Sequence, residues 1–76
     1  MDNEISKRVL DILSDETCVA VTSDTTFESL GLDSLDYLAA MVRIESAFNL
    51  EIPGAVVAEF NTAGDVIAFI EGAQCA

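Results

Sequence analysis

From Ser34 to Phe48 the chain runs without a glycine or proline. At 100° per residue, Tyr37, Ala40, Met41, Ile44 and Phe48 fall on one arc of that stretch. A segment of this kind is a helix with one buried face. Asn49 and the Pro53-Gly54 pair stop it. Asp33 stands just before it, where a carboxylate oxygen can accept from the unsatisfied N–H groups of a first turn. Asp36, Ala39, Arg43 and Ser46 fall on the opposite side, with Leu35 and Val42 at its border. That side is left for partners.

The rest of the chain reads as further helices around this one. Ile5, Val9, Ile12 and Leu13 follow the spacing of a helical face and predict a helix over 3–14. Thr17, Thr22, Ser23, Asp24, Thr25, Thr26 and Gly31 make 15–32 rich in turn formers, so a long loop is expected, anchored by Val19 to Val21 and Phe27. A brief strand at 19–21 is the alternative. Loops beyond about 12–15 residues are uncommon in compact domains and tend to be functional or self-packed. A short helix is expected over 55–60. Thr62-Ala63-Gly64-Asp65 has capping-box spacing with Asp in place of Glu, and starts a last helix to about Gly72 that buries Val66, Ile67 and Ile70. The expectation is one all-α domain over 1–76, with four helices, the third of them short.

Composition limits what such a domain can do. The 76 residues allow a small core that buries roughly 60% of the extended-chain surface. A hydrophobic content of 51% supports that core, while a net charge of −11 repels nucleic acid and anionic membrane surfaces and draws basic protein surfaces. The first residues lack the positive start of a signal peptide, and apolar runs such as 52–58 are too short to span a bilayer, so a cytoplasmic monomer without membrane insertion is expected. Histidine is absent and Cys18 and Cys75 lack CxxC spacing; free thiols and no zinc site follow. Activated serine needs a neighbouring base, and Lys7 is the sole lysine, so catalysis within the chain is not expected. Asp33 and Asp36 lack the spaced ligands of a calcium loop; weak Mg²⁺ or Ca²⁺ binding that relieves acidic self-repulsion is the most they suggest.

Leu30-Gly31-Leu32-Asp33-Ser34-Leu35-Asp36 puts one serine at the mouth of the second helix. With Asp33 placed to cap, Ser34 is free for another role. A phosphate esterified there would meet the positive end of the helix dipole and unpaired N–H donors. The Gly31-Leu32-Asp33-Ser34-Leu35 motif resembles the acyl carrier proteins and their peptidyl and aryl carrier relatives. So do Phe27-Glu28-Ser29-Leu30-Gly31 before it, Phe48-Asn49-Leu50-Glu51-Ile52-Pro53 after it, and Thr62 with Gly64-Asp65-Val66 further on. These landmarks are ordered and run from Phe27 to Ile70.

The resemblance implies a four-helix acyl-carrier-like bundle, and a non-catalytic carrier with a covalent 4'-phosphopantetheine arm at Ser34. It implies as partners a phosphopantetheinyl transferase and acyl-loading, elongating or acyl-transfer enzymes with basic docking surfaces. Docking is assigned to Leu35, Asp36, Ala39, Val42, Arg43 and Ser46. Carriers of fatty acid synthesis usually have a stripe of carboxylates there; here Ala39 and Ser46 are neutral and Arg43 is positive, which favours a dedicated fatty acid, lipid or polyketide pathway. Ala40, Met41, Ile44, Val57, Phe60, Ala63 and Ile67 are candidates to line an acyl pocket, with a plain core as the equal alternative. Two further readings stay open: an aminoacyl or peptidyl carrier loaded by an adenylating enzyme, and an unmodified acidic helical interaction module.

Overall fold

The computed structural model describes residues 3–75, the side chains of Asn3, Gln74 and Cys75 excepted. Five helical segments follow one another: α1 (Asn3–Thr17), α2 (Phe27–Leu30), α3 (Ser34–Phe48), α4 (Gly54–Val57) and α5 (Ala63–Cys75). The fold is all-α, as expected. Of the four helices anticipated, α3 has the bounds read from the sequence, α1 and α5 each run three residues further, and the short one read at 55–60 starts at Gly54 and stops at Val57. The additional segment, α2, is a single turn inside the stretch expected as loop. Its cause is local: Thr26 caps it by accepting from the Ser29 N–H, and Gly31 ends it at φ +68°, a conformation that glycine adopts without steric cost.

The core lies where the three long helices meet, α1 packing against both α3 and α5. Val9 and Leu13 of α1, Ala40, Met41 and Ile44 of α3, and Ala63, Val66, Ile67 and Ile70 of α5 are buried, joined by Val21, Phe27 and Ile52 from the connecting segments. Tyr37 and Phe48, assigned to the same arc of α3, are only partly buried against this cluster. Arg8 covers the Phe48 ring at 5.8 Å, so a cation–π contact closes that end of the helix pair.

The connection over 18–26 is tied down by hydrogen bonds more than by apolar area. Val21 is its buried anchor, and its N–H donates to the Ser14 hydroxyl at 3.1 Å. Thr25 and Thr22 bond one another through backbone and side chain. The segment then lies along the start of α5: Ala63 N–H donates to the Thr25 carbonyl, Gly64 N–H to the Ser23 carbonyl, and Phe27 N–H to the Asn61 carbonyl. The pairing amounts to one antiparallel bridge between Thr26 and Thr62, and the alternative strand at 19–21 does not form: Val19 is half-exposed and the Val21 N–H is taken by the Ser14 hydroxyl. Gly64 is needed here, since a Cβ would stand 2.9 Å from the Ser23 carbonyl oxygen.

The start of α5 is the reciprocal cap that its sequence suggests. Thr62 Oγ1 accepts from the Asp65 N–H at 3.2 Å, and the Asp65 carboxylate accepts from the Thr62 and Asn61 N–H groups at 3.1 and 2.8 Å. Those two backbone donors hold the Asp65 carboxyl below the usual carboxylate range. Among the described residues no helix is long and apolar enough to cross a membrane. Cys18 is a free, exposed thiol; the Cys75 side chain lies outside the described ones.

Candidate functional site

Ser34 is the first residue of α3 and is exposed. Two turns of chain geometry put it there. Gly31 reverses the backbone after α2, and Asp33, extended at φ −86° and ψ 177°, accepts the Asp36 N–H on its carboxylate at 3.0 Å. The cap therefore falls to Asp33, and the Ser34 hydroxyl makes no hydrogen bond to the described residues. The helix dipole places partial positive charge at this end.

The other serines are committed elsewhere or lack this setting. Ser14 accepts the Val21 N–H, and Ser29 donates to the Thr26 carbonyl at 2.8 Å. Ser6 is half-buried, Ser23 sits in the connection beside α5, and Ser46 lies on the body of α3. Only Ser34 combines an exposed hydroxyl with the first turn of a long helix among the described residues. It fits a phosphate ester: the oxygen is reachable, the helix end favours an anion, and backbone N–H groups face it.

Beside Ser34 opens a cleft of about 260 Å³ lined by Phe27, Glu28, Leu32, Asp33, Tyr37, Val57, Ala58 and Phe60. Three of its lining side chains, Phe27, Tyr37 and Phe60, are aromatic. Phe27 and Tyr37 meet edge to face at 5.0 Å, and the Tyr37 hydroxyl donates to the Val57 carbonyl at 2.6 Å, linking α3 to α4. Burial, helped by the negative charge of Asp65, pushes the Tyr37 phenol above its ordinary range, so it is a neutral donor at physiological pH. Phe60 and Phe69 form a second edge-to-face pair at 6.1 Å.

The seven residues proposed from sequence to line an acyl pocket divide into two groups. Ala40, Met41, Ile44, Ala63 and Ile67 lie in the packed core. Val57 and Phe60 are half-buried, and line the cleft beside Ser34. Tyr37 stands between the groups, one turn ahead of Ala40 and Met41 on the same arc of α3.

The outward side of α3 is more apolar than its sequence pattern suggested. Leu35 is 78% exposed, Val42 59% and Leu38 49%, a stripe at i, i+3 and i+7 that shares one helical face. Leu38 escaped the sequence reading because its position borders the core arc; two neighbouring leucines and a valine at helical spacing were the available signal. Asp36, Ala39 and Ser46 are exposed on the same helix. Arg43 is exposed too, but not unengaged: it donates to Asp15 at 2.8 Å and Glu16 at 3.0 Å at the end of α1. These two carboxylates raise the guanidinium pKa further and cancel its charge locally. No cluster of potential metal ligands occurs among the described residues.

Comparison with known proteins agrees with this geometry. The family model described as the phosphopantetheine attachment site matches residues 7–70. An acyl carrier protein of Porphyromonas gingivalis is 38% identical over 73 residues, covering 91% of this chain and 94% of its own. One from Akkermansia muciniphila is 36% identical, with 96% of each chain covered, and one from Prochlorococcus marinus is 39% identical, with 90% of each covered.

Proposed function

Because the chain belongs to the acyl carrier protein family, whose members are non-catalytic and carry a covalent 4'-phosphopantetheine, we propose that Ser34 is the residue that bears this group here. The observation that carries the assignment is the division of labour at the start of α3. Asp33 takes the cap and leaves the Ser34 hydroxyl exposed and without a hydrogen-bond partner among the described residues. When bound, the group supplies a terminal thiol that holds an acyl chain as a thioester.

The chain's own residues do the rest. Gly31 and Asp33 fix the turn so that Ser34 projects from the helix end. The base that takes the Ser34 proton has to come from the transferase, because this chain has no histidine, and its one lysine, Lys7, lies on α1. The helix dipole and first-turn N–H groups then stabilise the phosphodiester. Leu35, Asp36, Ala39, Val42, Arg43 and Ser46, with Leu38 added, form the face presented to the transferase and to the acyl-handling enzymes.

That face supports a dedicated lipid or polyketide pathway ahead of general fatty acid synthesis. Asp36 is its one carboxylate, and Arg43 is held by α1, so docking depends on apolar area from Leu35, Leu38 and Val42. Exposed charge pairs contribute about 0–1 kcal/mol each and are screened by salt; burial of apolar area is not. Salt should therefore slow association, which the net charge of −11 steers toward basic partners, while dissociation, set by the apolar contacts, should change little.

Incubation with coenzyme A, Mg²⁺ and a broad-specificity phosphopantetheinyl transferase tests the attachment. Intact mass should rise by one phosphopantetheinyl group in the wild type and not at all in Ser34→Ala. A wild type that gains nothing would overturn the proposal. Malonyl loading by the host's general transferase at the rate of its housekeeping carrier would overturn the dedicated-pathway reading while leaving the attachment intact.

A further inference from the structure

We propose that Tyr37 is a latch that decides how long a cargo can enter the body of this carrier. The inference rests on Ser34 being the attachment point, and goes beyond it to a residue with no role in attachment. Moving inward from Ser34 along the core-facing arc of α3, the first side chain met is Tyr37, and behind it come Ala40 and Met41, both buried. The Tyr37 ring lies in the wall of the cleft beside Ser34, edge-on to Phe27. Its hydroxyl is tied to the Val57 carbonyl at 2.6 Å. One ring and one hydrogen bond thus stand between the cleft beside Ser34 and the buried side chains of Ala40 and Met41.

The element at the far end of that bond is short, and only Val56 and Val57 of it pack, half-buried, against the core. Helix α4 has four residues, none of them buried, and its N-cap, Pro53, makes no side-chain cap hydrogen bond. The loop before it is held by the Glu45 carboxylate, which accepts the Ile52 N–H at 2.7 Å, and by buried Ile52. These contacts fix the entry to α4; beyond its end the Phe60 ring against Phe69 and the Phe27 N–H on the Asn61 carbonyl fix the chain again, and between those two anchors the Tyr37 bond is the side-chain hydrogen bond that ties α4 to α3. Breaking the bond would let α4 shift between Ile52 and Phe60. Behind the latch, the small side chain of Ala40 and the adaptable one of Met41 can yield to an incoming chain. With the latch closed, a short acyl group rests in the outer cleft, and a long one must first displace Tyr37.

Tyr37→Phe keeps the ring and removes the bond. Hydrogen exchange on the unmodified proteins is the first test: amides of Val56, Val57 and Ala58 should exchange about three- to tenfold faster in the variant, the effect of losing one ordinary hydrogen bond, while those of α1 and α5 stay unchanged. The second test charges both proteins from acetyl- and octanoyl-coenzyme A through a broad-specificity phosphopantetheinyl transferase and compares melting temperatures. In the variant, the octanoyl form should melt above the acetyl form by about 4 °C or more beyond the wild-type gap. A purely structural tyrosine would lower both forms equally. Unchanged exchange on α4, or an octanoyl-minus-acetyl gap equal in the two proteins, would overturn the latch. Failure of both proteins to accept either group would count against Ser34 instead, and the exchange result would still decide the latch.

Discussion

The body made by α1, α3 and α5 and the edge made by α2, the turn into α3 and α4 are stabilised by different means. In the body, apolar side chains at helical spacing remove one another from water: Leu13, Ile44, Val66 and Ile70 are essentially inaccessible. At the edge, Phe27 of α2 is buried but α4 buries no residue, and order comes mostly from individual hydrogen bonds: the Thr26 and Asp33 caps, the Gly31 N–H on the Glu28 carbonyl, and Tyr37 to Val57. The difference teaches where such a domain can carry a functional group. Close hydrophobic packing resists intrusion except where small or adaptable side chains line it, whereas a surface built from caps leaves the Ser34 hydroxyl exposed at a fixed place and lets its neighbours move.

The comparison breaks most sharply with a core truncation. Leu13→Ala should cost about 2–5 kcal/mol, a large share of the total for a domain this small, and lower the thermal midpoint by at least about 10 °C in circular dichroism. Next comes the seam where the 18–26 segment meets α5. Gly64→Ala pushes a methyl to within 2.9 Å of the Ser23 carbonyl, and should cost about 1–3 kcal/mol with loss of amide protection at Gly64. If it melted like the wild type, the seam would be looser than its hydrogen bonds indicate.

Smaller effects belong to the edge. Asp33→Ala removes the α3 cap and should cost about 1 kcal/mol, measurable by urea titration, whereas Asp33→Asn should recover most of it. The α5 cap gives a pH signature. Because Asp65 has its carboxyl pKa lowered by folding, its contribution is complete above the ordinary carboxylate range near 4 and disappears as pH falls through the lowered value. The melting gap between wild type and Asp65→Ala should thus be constant above about pH 5 and narrow at more acid pH. A gap that widened on acidification would contradict the assigned cap. Smallest is Arg43→Ala, which frees Asp15 and Glu16: a shift of less than about 5 °C at low ionic strength, gone in high salt.

Much of the body was legible in the sequence because it obeys periodicity. Val9 and Leu13, the Ala40-Met41-Ile44 set and Val66, Ile67 and Ile70 all lie where helical spacing puts them. The cap at Asp33 and the box at Thr62–Asp65 were legible because capping is decided within four residues. The one-turn helix α2 was not, since four residues are too few for a period to show. Nor was the pairing of Arg43 with Asp15 and Glu16, which joins residues far apart in sequence whose side chains are polar and exposed. The arc of α3 puts Tyr37 in the core, whereas it is only partly buried against it, and the bond from its hydroxyl to Val57 depends on how α4 settles against α3, which no local pattern encodes.

One hydroxyl, left unengaged by the cap beside it, is proposed to bear the arm. Fragmentation mass spectrometry of the modified, protease-digested protein tests it most directly, because it separates Ser34 from Ser29 five residues earlier. The account predicts the entire phosphopantetheinyl mass on Ser34, with the fragment ions of Ser29 unshifted. The added mass on Ser29, or on any serine other than Ser34, would contradict it.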